Sequence, residues 1–381
     1  MLIIVGILLL LLLVITHELG HFYAARRAGV EVEEFGIGFP PKAKTLGIKN
    51  GTEYTLNWLP LGGFVKLKGE HDSDTTKGSF GSASLKNKIY IMLAGVVVNA
   101  LTAVFLLTII ALVGLPKVLD NQFTVASDTT IVQQDVLIGF IAKDSPAEKS
   151  NLKLGDKIIT LVDKTCDLEP SCTYEIKTSD DLRTATTKLA GKEIVINYNR
   201  DNSVYNDTVV TTLLSDSDVE TSKLTDNPKG YLGVVPKDFI KKRSTWSAPI
   251  VAVVFSGQVV QETFRQFGYI IGDLFKGDTS TAKENVTGVV GIGYILGELS
   301  KQGFMSILFL TAMISLSLAI MNFLPIPALD GGRLFVTLLF RGLKRPLTKE
   351  TEERIHGTGF MLLMALFLLI TVVDVQRFIL K

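Results

Sequence analysis

Residues 8–29 read LLLLLLVITHELGHFYAARRAG, an almost purely aliphatic run that ends in polar side chains. With the residues before it, the run is long enough to cross a hydrocarbon core of about 30 Å, which takes about 20 helical residues. Its last turns carry the sequence H-E-L-G-H at residues 17–21. Ionisable side chains at the edge of a membrane segment are costly and usually functional. The stretch therefore predicts a membrane span with a polar site near one end.

The composition of the 381-residue chain indicates several membrane segments together with one soluble domain. A hydrophobic fraction of 47% and a mean hydropathy of +0.34 are too high for an ordinary soluble protein. A charged fraction of 20% is too high for a bundle of spans alone. The formal net charge of +1 gives no indication of a nucleic-acid partner, so none is expected.

Four apolar stretches are predicted to cross the membrane as helices. With their flanks, the predicted spans are residues 1–29, 87–116, 303–334 and 355–376. The first has neither a basic n-region nor a convincing cleavage site. We therefore expect a retained span rather than a secretory signal peptide.

The distribution of Lys and Arg predicts the orientation of these spans, because cytoplasmic loops are enriched in both. Basic residues follow the first span, precede the second, and lie between the third and fourth. They are Arg26, Arg27, Lys86, Lys88, Arg333, Arg341, Lys344 and Arg345. Both loops are thus predicted to be cytoplasmic, and segment 116–303 and both termini extracytoplasmic. Residues 17–21 and 328–332 then lie at the same membrane face.

His17 and His21 are the first candidate metal ligands. Residues four apart on a helix point the same way, so both imidazoles can reach one ion. Glu18 lies one position round, where it can activate a water without binding the metal. A catalytic zinc usually has three protein ligands and one open position.

Asp330, in MNFLPIPALDGGRL (321–334), is the best candidate for the third ligand. The prolines and glycines around it break the helix, which at membrane depth is tolerated only inside protein or beside a wet cavity. The other histidines, His71 and His356, are expected to be ordinary surface residues. H-E-x-x-H alone arises by chance, and Asp-Gly-Gly alone is usually a turn. Their predicted position at one membrane face favours a joint site.

Together these motifs resemble the site-2 protease family of intramembrane zinc metalloproteases. Further segments agree: FGIGFPPK (35–42), LPLGGFVKLKGE (59–70), AGVVVNALTAV (94–104) and GYLGVVP (230–236). Val96 stands where the family commonly has proline, which affects only the expected local helix shape. The chain is most similar to the bacterial branch that acts in regulated intramembrane proteolysis, in a form with one PDZ domain.

The resemblance implies a role for particular residues. His17, His21 and Asp330 would bind Zn²⁺, and Glu18 would be the general base. Asn322, Pro325 and Pro327 would contact an unfolded stretch of substrate, and Asn99 would give polar support. A carboxamide suits this task because it offers both a donor and an acceptor to a freed backbone. Alternatively, Asn322 pairs with a neighbouring span.

Residues 30–86 are predicted to form a membrane-associated β-hairpin region and a cytoplasmic loop. Apolar and polar residues alternate in VEVEEFGIGF (30–39) and YTLNWLPLGGFVKLKG (54–69), with Gly and Pro between. Beside a protease site, the edge of such a sheet could hold an extended substrate by strand addition. The alternative is a plug that only covers the site.

Residues 120–236 have the pattern of a small α/β domain and resemble a PDZ domain. Such a domain would bind substrate segments in its groove or act as a size filter. Its two cysteines, Cys166 and Cys172, are expected to form a local disulfide in an oxidising compartment, rather than a metal or redox pair. Residues 246–277 are predicted to form an amphipathic helix on the membrane surface, with Gln258, Gln261, Glu262 and Arg265 on one side.

The sequence thus predicts a polytopic α-helical membrane protein of about four spans, with a β-sheet after the first and an inserted extracytoplasmic PDZ-like domain. The resemblance implies an intramembrane zinc endopeptidase of the bacterial cytoplasmic (inner) membrane, with its active site toward the cytoplasm. Its partners would be the lipid bilayer and single-span substrates of the anti-sigma-factor type, or remnant signal peptides. A membrane-tethered PDZ adaptor without activity is the alternative. A metal transporter is less favoured because no internal repeat is visible.

Overall fold

A computed structural model describes residues 2–166, 172–200, 203 and 206–380. The helices that it describes are α1 (Leu2–Arg27), α2 (Leu85–Val113), α3 (Pro146–Lys149), α4 (Ser179–Lys188), α5 (Asp216–Ser222), α6 (Ala248–Phe275), α7 (Ser280–Asn285), α8 (Val289–Lys301), α9 (Phe304–Phe323), α10 (Asp330–Gly342) and α11 (Lys349–Phe378). The strands are β1 (Val32–Lys49), β2 (Thr52–Leu67), β3 (Leu115–Pro116), β4 (Thr130–Ile141), β5 (Lys157–Asp163), β6 (Thr173–Glu175), β7 (Glu193–Asn199), β8 (Asp207–Thr212) and β9 (Val234–Arg243).

The chain divides into two compact units. The first consists of Met1–Thr108 and Ala252–Lys381, and the second of Ile109–Val251. Among the described residues, four helices are long and apolar enough to cross a membrane, namely α1, α2, α9 and α11. This number matches the number of spans that the sequence predicts.

The predicted span 303–334 contains two helices with a break between them. Helix α9 ends at Phe323, and α10 begins at Asp330. The intervening Pro325 and Pro327 explain the break, because proline has no N–H to donate and disfavours a helical conformation in the residue before it. Asp330 is thereby placed in the first turn of a new helix.

In the first unit, β1 and β2 form the antiparallel hairpin that the alternating pattern predicted. A core that includes Phe22 of α1, Phe35 of β1 and Phe80 packs the hairpin against the helices. Helix α1 lies close to α2 at Gly20, where an added Cβ would stand 2.9 Å from the carbonyl oxygen of Ala94. The hairpin and α2 therefore both contact the helix that carries H-E-L-G-H.

Helix α8, which the sequence analysis did not identify, is tied to α11 by a buried carboxylate. Asp374 accepts hydrogen bonds from the backbone N–H groups of Gly288 and Gly291, at 3.0 and 2.7 Å. Free N–H groups at a helix start favour a negative charge. This pairing accounts for an aspartate that is only 1% exposed within an apolar helix.

The second unit is built on a sheet whose described strand pairs are all antiparallel. Within the described residues its strand order is β3-β9-β4-β5-β7-β8, with β6 beside β5. Val136, Ile158, Leu161, Ile194 and Ile196 belong to its apolar core. Alternate residues of a strand face the same side, which is why these strands can bury one face.

Polar contacts fix the loops of this unit. Thr178 and Ser215 cap α4 and α5 with reciprocal capping boxes. The guanidinium of Arg200 donates two hydrogen bonds of 2.7 Å to the buried carboxylate of Asp156. Cys166 and Cys172 form a disulfide, and residues 167–171 between them lie outside the described residues.

Candidate metal centre

Helix α1 brings the imidazoles of His17 and His21 together on one face. Their Nε2 atoms are 3.2 Å apart. The Nδ1 of His21 lies 2.8 Å from the carbonyl oxygen of Ile91 in α2. Because a carbonyl oxygen only accepts, Nδ1 carries the proton, and Nε2 keeps a free lone pair that can bind a metal ion.

Asp330 completes the group from the other end of the sequence. Its Oδ2 atom lies 3.3 Å from the Nε2 of His17 and 3.3 Å from the Nε2 of His21. The turn that presents it is tight, since an added Cβ would stand 2.4 Å from the carbonyl oxygen of Phe323 at Gly331 and 1.9 Å from that of Ile326 at Gly332. Only glycine fits such an approach, which gives a physical role to the Asp-Gly-Gly sequence.

Helix α2 forms a wall of the site at Gly95. A Cβ there would lie 2.4 Å from the Nε2 of His21 and 2.7 Å from the Nε2 of His17. The imidazoles therefore occupy space that any other side chain at position 95 would fill. This glycine was not singled out in the sequence analysis.

The donor set fits a zinc ion. Ligand bonds of about 2.0 to 2.2 Å at the tetrahedral angle set neighbouring ligand atoms about 3.3 Å apart. The three atoms here are 3.2 to 3.3 Å apart. The Oδ2 of Asp330 is buried and has no hydrogen-bond partner among the described residues. Among the residues that the structure describes, no other group of three His, Cys, Asp or Glu side chains converges in this way.

Glu18 lines the same cavity as the three ligands. This cavity, of about 180 Å³, also contains Arg333 and apolar side chains from β2 and α2. A second cavity of about 430 Å³ lies alongside, and Asp330 and Arg333 line both. We call it the polar cavity after the ionisable residues in its lining, which include Glu70, His71, Glu352, Glu353 and His356.

The expectation that His71 and His356 are ordinary surface residues is wrong. Both are partly buried and line the polar cavity beside Asp330. The Nδ1 of His356 accepts a hydrogen bond of 3.1 Å from the N–H of Ala328, in the turn before Asp330. The Nε2 of His71 lies 3.4 Å from a carboxylate oxygen of Glu353. The sequence did not predict a position for these histidines beside the site, because their partners are more than 25 residues away in sequence.

Asn99 lies one helical turn beyond Gly95 on α2 and is fully buried. Among the described residues, neither its Nδ2 nor its Oδ1 has a hydrogen-bond partner. Its backbone oxygen accepts a hydrogen bond of 2.8 Å from Ser315 of α9. A buried carboxamide without a partner is costly in a protein interior. The carboxamide of Asn99, unpaired in the part of the chain that the structure describes, is therefore a feature that the fold alone does not explain.

Asn322, Pro325 and Pro327 lie at the end of α9 and in the break before α10. Asn322 is partly buried and Pro325 exposed. Pro327 packs against α11, where an added Cβ on Gly359 would stand 2.4 Å from its Cβ. None of the three belongs to the group of candidate metal ligands among the described residues.

A protein with four apolar helices and a buried site of two histidines and one carboxylate belongs to the class of membrane metalloproteins. Comparison with known proteins identifies the family. Residues 5–366 match peptidase family M50, which is the site-2 protease family, and the chain belongs to it. It is a zinc-dependent, membrane-embedded metalloprotease.

Curated relatives align with this chain over nearly their whole length. Proteins of Campylobacter jejuni and Clostridium perfringens have names that provisionally assign them as zinc metalloproteases. The first is 31% identical over 98% of this chain and 93% of its own length, and the second is 29% identical over 95% of each. The zinc metalloprotease RasP of Shouchella clausii is 26% identical over 96% of each chain.

Proposed function

We propose that the chain is an endopeptidase that cuts transmembrane segments of single-span proteins, with zinc held by His17, His21 and Asp330. The observation that carries this proposal is the approach of three ligand atoms, from helices more than 300 residues apart, to within 3.2 to 3.3 Å. Two of these atoms belong to the apolar helix α1, which suits the cleavage of a peptide bond that itself lies in the bilayer.

In the proposed mechanism Glu18 is the general base. When bound, zinc would polarise the scissile carbonyl and lower the pKa of a coordinated water. Glu18 takes the proton of the attacking water and passes it to the leaving amine. The Ile91 carbonyl holds the His21 ring in the tautomer that leaves Nε2 free. The apolar walls of the small cavity strengthen each of these electrostatic contacts.

The substrate must unwind before it is cut, since a helix protects its own backbone. The freed N–H and C=O groups then need partners inside the membrane. Asn99 offers a buried donor and acceptor without another partner among the described residues, and Asn322 a second pair. Pro325 and Pro327 keep the adjoining segment out of a helix. The edge of the β1–β2 hairpin would add the substrate as a further strand.

The proposed substrates are membrane-anchored regulators of the anti-sigma-factor type, remnant signal peptides, or both. The second unit is proposed to be a PDZ domain, on the extracytoplasmic side of a bacterial cytoplasmic membrane. Its capped helix α4 and the sheet beside it agree with this assignment. The active site would open toward the cytoplasm, as the Lys and Arg distribution predicts.

The test separates zinc binding from catalysis. The parent protein, His21→Ala, Asp330→Asn and Glu18→Gln are purified, and their zinc content and cleavage of a single-span protein with a Gly-Pro pair in its span are measured. We expect the first two variants to lose zinc. Glu18→Gln should keep zinc but lose roughly a thousandfold in cleavage rate. Full cleavage by Glu18→Gln would contradict the assigned base, and zinc that persists in both ligand variants would contradict the site.

A further inference from the structure

Four basic residues lie on neighbouring strand positions in the second unit, where the apolar helix α2 ends. This basic cluster consists of Lys117, Lys241, Lys242 and Arg243. Strand β3 follows α2 after one residue and pairs directly with Lys241 and Lys242 of β9. The cluster is thus within a few residues of the end of a predicted span.

Hydrogen bonds fix the cluster to that helix end. Arg243 donates from its Nε to the carbonyl oxygen of Leu112, at 3.1 Å. The N–H of Ser244 donates to the carbonyl oxygen of Ala111, at 2.8 Å. The last carbonyls of a helix have no partner within it, so these contacts hold β9 to the end of α2.

Exposed apolar residues flank the basic cluster along the chain and in the strand register. Ile131 pairs in register with Lys242, and Thr130, just before it, pairs with Arg243. Val118, Ile131, Val132 and Trp246 are 50%, 56%, 47% and 65% exposed. We call these four the apolar collar. Tryptophan and aliphatic side chains beside Lys and Arg are typical of the level of lipid headgroups.

The basic cluster has no counterion among the residues that the structure describes. Among the described residues, none of its four side chains has a carboxylate within 4.0 Å, although the ammonium of Lys241 lies 5.2 Å from the centre of the Phe239 ring. The carboxylate of Asp128, in the same unit, accepts hydrogen bonds from the backbone N–H groups of Thr245 and Ser247, at 2.8 and 3.0 Å. Segment 110–127 contains one further carboxylate, Asp120. The cluster therefore has an excess of positive charge.

We propose that the basic cluster binds the phosphates of anionic phospholipids in the leaflet where α2 ends, while the apolar collar enters the headgroup region. Each Lys or Arg near an anionic surface increases binding roughly fivefold. Lys and Arg are otherwise disfavoured on the extracytoplasmic side that the topology assigns to this unit. Lipid binding would orient the unit over the bilayer. This inference depends on the membrane-spanning character of the chain and not on its catalytic assignment.

The test uses the full chain in lipid vesicles, with Trp246 as the probe. The chain has two tryptophans, so Trp58→Phe leaves only Trp246. Vesicles contain phosphatidylcholine brominated near the headgroup, with or without phosphatidylglycerol. We expect bromine to quench Trp246, and quenching to increase with phosphatidylglycerol. Added salt should remove the increase, because it screens charges beyond about 10 Å at moderate ionic strength.

A matched pair of variants tests the basic cluster itself. The combined variant Lys117→Gln, Lys241→Gln, Lys242→Gln should lose the phosphatidylglycerol-dependent quenching, while Arg243 is kept because it caps α2. Lys237→Gln is the control. Lys237 lies on the same strand four residues before Lys241, about 13 Å away at 3.3 Å per residue. Equal quenching in both kinds of vesicle, or an unchanged dependence in the combined variant, would overturn the proposal.

Discussion

Gly95 leaves the space that the two imidazoles of the candidate metal centre occupy. In Gly95→Ala the new Cβ would stand 2.4 Å from the Nε2 of His21 and 2.5 Å from the Cε1 of His17. These rings must shift, so we expect zinc content to fall well below one ion per chain. Zinc analysis of the purified protein measures this. Gly257→Ala in α6, where an added Cβ meets no atom within 4 Å, should bind zinc normally.

A substitution at Asn99 is expected to affect stability and cleavage in opposite directions. Its buried carboxamide has no partner among the described residues, so Asn99→Leu should not lower the free energy of unfolding and could raise it by about 1 to 3 kcal/mol. If the side chain pairs with substrate backbone, the same change should lower kcat/KM by roughly tenfold or more, with zinc content unchanged. Thermal unfolding and cleavage assays give the two values. A destabilised variant with normal kcat/KM would assign Asn99 to structure alone.

At the residue scale, sequence reasoning proposed the candidate ligands that the structure brings together, but not the contacts that hold them. His17 and His21 follow from helical spacing, and Asp330 follows from a shared membrane face. The Ile91 carbonyl belongs to the backbone, which has no sequence signature. Gly95 and the half-buried histidines depend on contacts between distant segments. Such packing is decided by the folded chain and cannot be read from local patterns.

At the element scale, buried charges fix the helix that carries Asp330. Arg333, one turn after Asp330, has its Nε 3.8 Å from Glu352 and its guanidinium 5.0 Å from the centre of the Phe80 ring. Glu352 is 3% exposed and also accepts a hydrogen bond of 2.9 Å from the N–H of Asp72. These contacts join α10, α11 and the loop after β2 around the polar cavity.

Glu352→Gln is therefore expected to weaken zinc binding without removing a ligand. Loss of the buried charge removes one of the two described carboxylates beside Arg333, the other being Glu70 at 4.0 Å, and should cost about 1 to 3 kcal/mol of stability. Loss of support around a metal ligand commonly weakens affinity by roughly tenfold or more. Competition with a chelator measures the affinity. Glu353→Gln, at an exposed carboxylate of the same helix turn, is the control and should bind zinc as the parent does.

Elements that depend on distant partners were the ones that sequence patterns failed to predict. The four apolar helices are predicted by long continuous apolar runs and the hairpin by alternating apolar and polar residues, and the prolines explain why α9 ends early. Helix α8 has only 13 residues, and its start is stabilised by Asp374, which lies 83 residues after Gly291. No local signal links these two positions. A short helix of this kind becomes evident only once its packing partner is in place.

At the scale of the whole molecule, acid should weaken the second unit through Asp163. Hydrogen bonds from the Lys192 ammonium and from Thr165 lower the pKa of this carboxyl to about 2, from an ordinary value of 3.8. Because the folded state has the lower pKa, the stabilisation is complete above pH 3.8 and is lost as the pH falls through about 2. Hydrogen exchange of β5 and β7 in the full chain, corrected for intrinsic rates, measures this loss.

The variant Asp163→Asn should remove that part of the acid dependence. Its protection above pH 4 should be lower than in the parent, and the two proteins should converge near pH 2. Asp180→Asn is the matched control, because the Asp180 side chain is 85% exposed and pairs only with Arg183 of its own helix among the described residues. Identical acid dependence in the parent and Asp163→Asn would show that the ion pair with Lys192 adds nothing.

The proposed topology makes a prediction about the two sides of the membrane. The native cysteines form a disulfide, so a cysteine introduced elsewhere is the reactive thiol of the described residues. Leu224, 89% exposed in the second unit, and Lys77, exposed in the loop after β2, are suitable positions. In intact cells without an outer-membrane barrier, a membrane-impermeant maleimide should label Leu224→Cys. It should label Lys77→Cys only after permeabilisation, because the Lys and Arg distribution places that loop in the cytoplasm. The opposite pattern would invert the chain and move the candidate metal centre to the outer face, where the proposed cytoplasmic opening for water could not exist.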